Sequence, residues 1–326
     1  MSEKVLKQLE RDLVKVNSTD QGRRAFLVAL PMILASCATG SKHRMREGDN
    51  TGQETSLSFS DERQMTKEYL PQMEKEYPSV SNSYAQSYIR NLGAKITSAN
   101  GLEGHPYNYH FRVVNSKMVN AFALPAGEVF VTAPLIKMAS SEAELAGVLG
   151  HEIGHIKARH TAERIEAEKK SKTKNLLFGI GGAILGGAAG YGLGKALCKK
   201  GDRECIQRIA LYGGAAGVGG ALLIQKFGFM ANSREDEMEA DRIGFSTSLA
   251  AGYDANHIGK FYEKLLVMEK QYQRNSNGIS KKFADALSTH PPSIERVRQM
   301  NEMSQEVSGR GGIINSKSFL KVQTLV

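Results

Sequence analysis

The chain has 326 residues, 41% of them hydrophobic and 24% charged, ordinary proportions for a globular protein long enough to bury a sizeable core. The formal net charge of +9 is spread along the chain. With no long basic helix and no basic stretch interleaved with aromatics, nucleic acid is not an expected partner, whereas an acidic membrane surface is compatible.

Residues 25–34 are an apolar run preceded by Arg23 and Arg24. The run is too short to cross a bilayer as a helix, and its basic flank suits an export signal. It ends in Leu34-Ala35-Ser36-Cys37, which resembles the lipobox of bacterial lipoproteins, where the cysteine is lipidated and becomes the first mature residue. The plainer reading is an ordinary signal peptide with an incidental cysteine. Ala38 after Cys37 resembles lipoproteins sorted to the outer membrane, and Gly22-Arg23-Arg24-Ala25-Phe26-Leu27 resembles a twin-arginine export signal. Alternatively, the two arginines only supply the positive flank. Residues 1–36 are thus read as a lipoprotein signal peptide and the polar residues 37–55 as a flexible tether. Residues 56–305 are the folded domain, and the weakly patterned residues 306–326 are a mobile tail.

Residues 60–98 carry helical patterns interrupted at Pro71 and Pro78, with Tyr84, Tyr88, Leu92 and Ile96 on one face. Residues 109–114 alternate as a strand does. Two further strands, 121–124 and 128–132, flank Pro125-Ala126-Gly127, a hairpin turn. Together they predict a small antiparallel sheet. Ser141-Glu142-Ala143-Glu144 reads as a capping box that starts a helix. Leu145, Leu149, Ile153 and Ile156 form its core stripe, and His151 and His155 fall on nearly the opposite side.

Residues 176–224 are rich in glycine and apolar side chains, with Gly182, Gly186, Gly190 and Gly194 spaced four apart. The segment reads as a hairpin of two close-packed helices. Cys198 and Cys205 bracket its connecting loop and would pair in an oxidising compartment. The hairpin could dip into a membrane, with Lys169, Lys170, Lys172 and Lys174 at the headgroups. A buried hairpin or a flap is favoured slightly, because each glycine costs helix about 1 kcal/mol against alanine. From Ser233 to Gly252 the pattern is helical again, and Asp254 caps the next helix. Ser288-Thr289-His290-Pro291-Pro292 is a loop leading to a short helix.

The chemistry centres on Gly150-His151-Glu152-Ile153-Gly154-His155. A solvated helix face can carry these residue types, but a chance His-Glu-x-x-His in a chain this size is on the order of one in a hundred. On a helix, two histidines four apart share a face, so both imidazoles can reach one metal ion. Gly147 and Gly154 lie beside them and leave room for a metal and another chain. A catalytic zinc site takes a third protein ligand and keeps one position open. Glu237 and Asp241 are four apart and share a face, while Glu239 points elsewhere. One carboxylate could bind the metal and the other could orient a ligand histidine. The residues alone do not choose between them.

His151-Glu152-Ile153-Gly154-His155 with the preceding Ala143–Gly150, Ser233-Arg234 with Glu237–Gly244, Asn120–Pro125, and His290-Pro291 with Arg296 occur in this order. Across roughly residues 60–300 they resemble the HtpX/Oma/CAAX-prenyl-protease family of zinc metallopeptidases, the gluzincins, and most nearly its periplasmic and outer-membrane lipoprotein members. The resemblance implies an α+β, mainly helical, zincin-like fold with a small antiparallel sheet, an active-site helix and the Gly-rich hairpin as an insertion. It implies one zinc ion per chain on His151, His155 and Glu237, with Asp241 and Arg296 behind the ligands. It further implies Glu152 as the base, His290 either as a helper of the oxyanion or as the occupant of the open zinc position in a resting state, and Asn120, Ala121 and Phe122 in an edge strand that pairs with extended substrate. The function so implied is a periplasmic zinc endopeptidase, lipid-anchored at the outer membrane, that degrades misfolded or unassembled envelope proteins. The rival reading is a chaperone-like protein that binds outer-membrane proteins and whose zinc is structural. A purely structural site has no need of Glu152 and is more often closed by four side chains.

Overall fold

The computed structural model describes residues 47, 48, 50, 53, 55–167, 232–274, 290–307 and 311–326. The export signal, Cys37, the 176–224 hairpin and the Cys198–Cys205 pair lie outside the described residues. No helix among the described residues is long and apolar enough to cross a membrane.

The fold is mainly helical with one small sheet. Helix α1, Phe59–Glu76, starts at a capping box in which Ser58 and Asp61 satisfy each other's backbone N–H groups. Pro71 lies inside α1 and does not end it. Its side chain is exposed, and buried Tyr69 and Met73 on either side hold the helix to the core. Helix α2, Ser83–Ala99, starts at Asn82 and buries Tyr88, Leu92 and Ile96.

Strands β1 (His110–Val114), β2 (Ala121–Ala123) and β3 (Glu128–Thr132) form a three-stranded sheet in the order β1-β3-β2. β2 and β3 are an antiparallel hairpin with Phe122 opposite Phe130. β1, however, runs parallel to β3, so the sheet is mixed and not antiparallel. The reason is order: β3 inserts between its two predecessors. At the hairpin turn Gly127 has φ 105°, and a Cβ there would come within 2.1 Å of the Asn108 carbonyl. Only glycine fits that position.

After a short helix α3 (Ala133–Met138), α4 (Glu142–Lys157) runs through the middle of the domain. Ser141 caps it through the Glu144 N–H at 3.1 Å. The reciprocal half of the predicted box is absent: the Glu144 carboxylate accepts from the Ser140 N–H. Leu145, Leu149 and Ile153 are fully buried, each contributing roughly 1.5–3 kcal/mol. Then come α5 (Arg234–Ala250), α6 (Ala255–Ile258), α7 (Lys260–Arg274), α8 (Ile294–Glu306) and α9 (Lys317–Gln323).

Helix α5 packs along α4 at backbone distance. A Cβ on Gly154 would sit 2.8 Å from the Ala240 carbonyl oxygen, and one on Gly150 2.6 Å from that of Gly244. A Cβ on Gly147 would meet the Ile258 carbonyl at 2.2 Å. These glycines therefore face neighbouring helices and do not open space for metal or substrate.

Both ends of α4 are bound by distant chain. Residues 311–326, read from sequence as a mobile tail, are docked. Ala143 N–H donates to Ile314 O at 3.1 Å, Glu142 N–H to Asn315 Oδ1 at 3.0 Å, and Ser316 N–H to Glu142 Oε2 at 2.8 Å. Phe319 and Val322 of α9 are fully buried. The free N–H groups of a helix start need acceptors, and this strap supplies two. At the other end, Asn50 donates to Lys157 O at 2.9 Å and Gln53 to Ala158 O at 2.8 Å. The described part of the predicted tether thus covers carbonyls at the end of α4.

Candidate metal centre

His151 and His155 project from one face of α4, and Glu237 reaches them from the first turn of α5. That turn is fixed by a second capping box, Ser233 with Asp236. The ligand atoms of His151, His155, Glu237 and His290 all lie within 4.8 Å of one another. His151 Nε2 is 3.0 Å from His155 Nε2, 3.4 Å from Glu237 Oε2 and 3.2 Å from His290 Nδ1. His155 Nε2 is 3.2 Å from Glu237 Oε1, which is 3.1 Å from His290 Nδ1.

These spacings test whether a metal fits. Tetrahedral ligands at about 2.0–2.1 Å from an ion stand about 3.3–3.4 Å apart, close to what is observed. The far nitrogens of both α4 histidines are engaged away from the cluster. His151 Nδ1 lies 2.8 Å from Asp241 Oδ1, and His155 Nδ1 lies 2.8 Å from His160 Nδ1. Both Nε2 atoms are thereby turned inward. The donor set fits a small divalent cation.

The electrostatics favour the charged carboxylates. Burial alone would raise the pKa of Glu237 and Asp241, yet the Arg296 guanidinium holds Glu237 well below the usual carboxylate range and lowers Asp241 as well. Arg296 is itself 1% exposed. It grips both oxygens of Asp241 at 2.7 Å and reaches Glu237 Oε2 at 2.6 Å, a fork geometry that lysine could not reproduce. Burial pulls the His151 pKa down, but the carboxylates of Glu237 and Asp241 outweigh it and push it up to about 9. His155 is held well below its ordinary value, first by burial and then by neighbouring His151.

Glu152 borders the cluster, its Oε1 3.5 Å from His290 Nε2. A narrow cleft beside it is lined by Asn120, Ala121, Val148, Glu152, Tyr262 and His290. Among the residues singled out from sequence, the structure brings together His151, Glu152, His155, Glu237, Asp241, His290, Arg296, Asn120 and Ala121. The Phe122 side chain turns the other way, stacked on Phe130 at 4.8 Å.

Two further groups touch the centre and carry no sequence signal. Asn232 donates to Glu237 Oε1 at 2.6 Å. His160, fully buried, contacts His155 and the Glu239 carboxylate, with Nε2 3.3 Å from Glu239 Oε2. Glu239 does point away from Glu237, but into the core.

The sequence profile of Peptidase family M48 matches residues 83–304. The chain is 27% identical over 237 residues to the beta-barrel assembly-enhancing protease of Escherichia coli (strain K12), covering 73% of this chain and 42% of that protein. It is 30% identical over 249 residues to the mitochondrial metalloendopeptidase OMA1 of Arabidopsis thaliana, again covering 73% of this chain and 42% of the relative. The yeast OMA1 is 30% identical over 203 residues, 62% of this chain and 48% of its own. The chain thus spans less than half the length of these curated relatives.

Proposed function

The chain belongs to Peptidase family M48, and from that membership and the centre's geometry we propose that it is a zinc-dependent endopeptidase of the cell envelope. It is held there by a lipid on Cys37 and acts on misfolded or unassembled envelope and outer-membrane proteins. The observation that carries the reading is the convergence of His151, His155 and Glu237 at tetrahedral spacing with Glu152 alongside. The name of the Escherichia coli relative, a beta-barrel assembly-enhancing protease, supports the substrate class. The OMA1 relatives, named metalloendopeptidases, support metal dependence.

His151, His155 and Glu237 would hold the zinc. When bound, it supplies Lewis acidity, activating water and polarising the scissile carbonyl. Glu152 takes the proton from the attacking water and passes it to the leaving nitrogen. Asp241 keeps the His151 ring oriented, and Arg296 keeps Asp241 and Glu237 charged. His290 is assigned to the developing oxyanion. Its Nδ1 lies 3.2 Å from His151 Nε2 and 3.1 Å from Glu237 Oε1, beside the residues that would hold the metal. Strand β2 pairs with β3 on one side only among the described strands, and Asn120 and Ala121 border the cleft. An extended chain adding to that edge is read mainly through its backbone, which suits unfolded substrates.

The test is incubation of the purified mature chain with an unfolded protein such as casein. Cleavage is expected with zinc, lost with a chelator, and lost in Glu152→Gln while that variant still retains metal. Metal-independent binding of unfolded protein without cleavage would favour the chaperone reading instead.

A further inference from the structure

His160 and Glu239 lie outside the ligand set, yet both are fully buried beside it. Resting on the reading that the centre holds a divalent metal, we propose that they are positioning residues for His155, selecting the tautomer in which His155 can be a ligand.

The Nδ1 atoms of His155 and His160 are 2.8 Å apart, a hydrogen-bond distance across which only one of the two can carry the proton. The other ring nitrogen of His160 lies 3.3 Å from Glu239 Oε2. A carboxylate only accepts, so His160 donates through Nε2–H and presents a bare Nδ1 to its neighbour. His155 must then hold its proton on Nδ1, which leaves Nε2 bare toward the metal centre.

The alternative tautomer is a real competitor. His155 Nε2 is 3.2 Å from Glu237 Oε1. A proton there would make a good charge-assisted hydrogen bond and close the site to metal. His160 and Glu239 remove that option. Asp241 does the same for His151 in one step. Glu239 and Asp241 leave α5 two residues apart, so one helix supplies a ligand and both supporting carboxylates.

The other Glu239 oxygen is held as well. The Gly48 N–H donates to Glu239 Oε1 at 3.1 Å. This contact makes an isosteric variant informative. In Glu239→Gln the amide oxygen is drawn to the Gly48 N–H, and the NH2 turns toward His160. A donor now faces His160 Nε2, which must become the acceptor. Its proton moves to Nδ1, and His155 loses its acceptor.

The experiment measures zinc affinity of the full mature chain by competition with a chromophoric chelator, alongside the melting temperature of the metal-free protein. Glu239→Gln and His160→Phe are expected to weaken zinc binding about 10–100-fold. In His160→Gln, the side-chain oxygen can accept from His155 and the NH2 can donate to Glu239, so most of the affinity returns. The metal-free melting temperature of Glu239→Gln stays at the wild-type value. Wild-type zinc affinity in Glu239→Gln, or a loss in His160→Phe that His160→Gln shares and that follows the metal-free melting temperature, overturns the proposal. A wild-type chain that takes up no zinc would overturn the metal reading itself.

Discussion

Replacing Gly154 with alanine separates packing from ligation. The added Cβ would lie 2.8 Å from the Ala240 carbonyl oxygen and 3.0 Å from its Cα, both backbone atoms of α5. Ordinary contact begins near 3.4 Å, so α4 and α5 must separate by about 0.6 Å, since side chains cannot absorb a clash between backbones. The His155 Nε2–Glu237 Oε1 gap of 3.2 Å then widens to about 3.8 Å, beyond the ~3.3 Å edge a zinc tetrahedron uses. Stability changes less. Overpacking costs about 1–3 kcal/mol, and alanine returns about 1 kcal/mol of helix propensity. We therefore expect the metal-free chain to lose about 0–2 kcal/mol in a denaturant titration. Zinc affinity in chelator competition should fall at least ~10-fold, about 1.4 kcal/mol. Gly311→Ala, where a Cβ meets nothing within 4 Å, is the neutral control. Wild-type zinc affinity in Gly154→Ala would refute the claim that α4–α5 distance sets the ligand geometry.

Arg296→Met should destabilise the fold by about 3–5 kcal/mol, because it strands two buried carboxylates without their counter-charge; a melt of the metal-free protein reads this. The pH dependence follows with a definite sign. Glu237 and Asp241 are held below their ordinary values of 4.5 and 3.8. Their contribution is therefore complete above about pH 4.5 and is lost as pH falls toward their folded values. Arg296→Met should flatten that acidic limb, and an unchanged limb would remove Arg296 as its cause. Ending the chain after residue 310 removes the buried Phe319 and Val322. It should cost roughly 3–6 kcal/mol at about 1.5–3 kcal/mol per side chain, seen as a lower melting temperature by circular dichroism.

The histidine-bearing helix was legible because its signals are local. Ser141 marks its start, the Leu145–Leu149–Ile153 stripe gives its buried side, and two histidines four apart must share a face. The spacing of Glu237 and Asp241 announced a second helix face in the same way. What stayed hidden depends on geometry that periodicity does not carry. His160 is five residues from His155, well off its face on a continuous helix. α4 ends at Lys157, however, and Arg159 takes a left-handed φ of 55°, which swings the chain so that His160 returns to the His155 ring. The parallel pairing of β1 was invisible because alternation gives strand faces and not strand order. Gly147 and Gly154 read as room for a metal and another chain until α6 and α5 are seen pressed against them. The strap at residues 311–326 has too short an apolar pattern to announce its burial.

That strap has a consequence for how the molecule is made. The N–H of Glu142 is satisfied by Asn315, 173 positions downstream. At roughly 5–20 residues per second of synthesis, the helix that carries the histidines waits about 9–35 s for the segment that completes its first turn. Glu237 is itself added only 86 positions after His151, so the two histidines exist well before either the carboxylate or the strap that sets them in place.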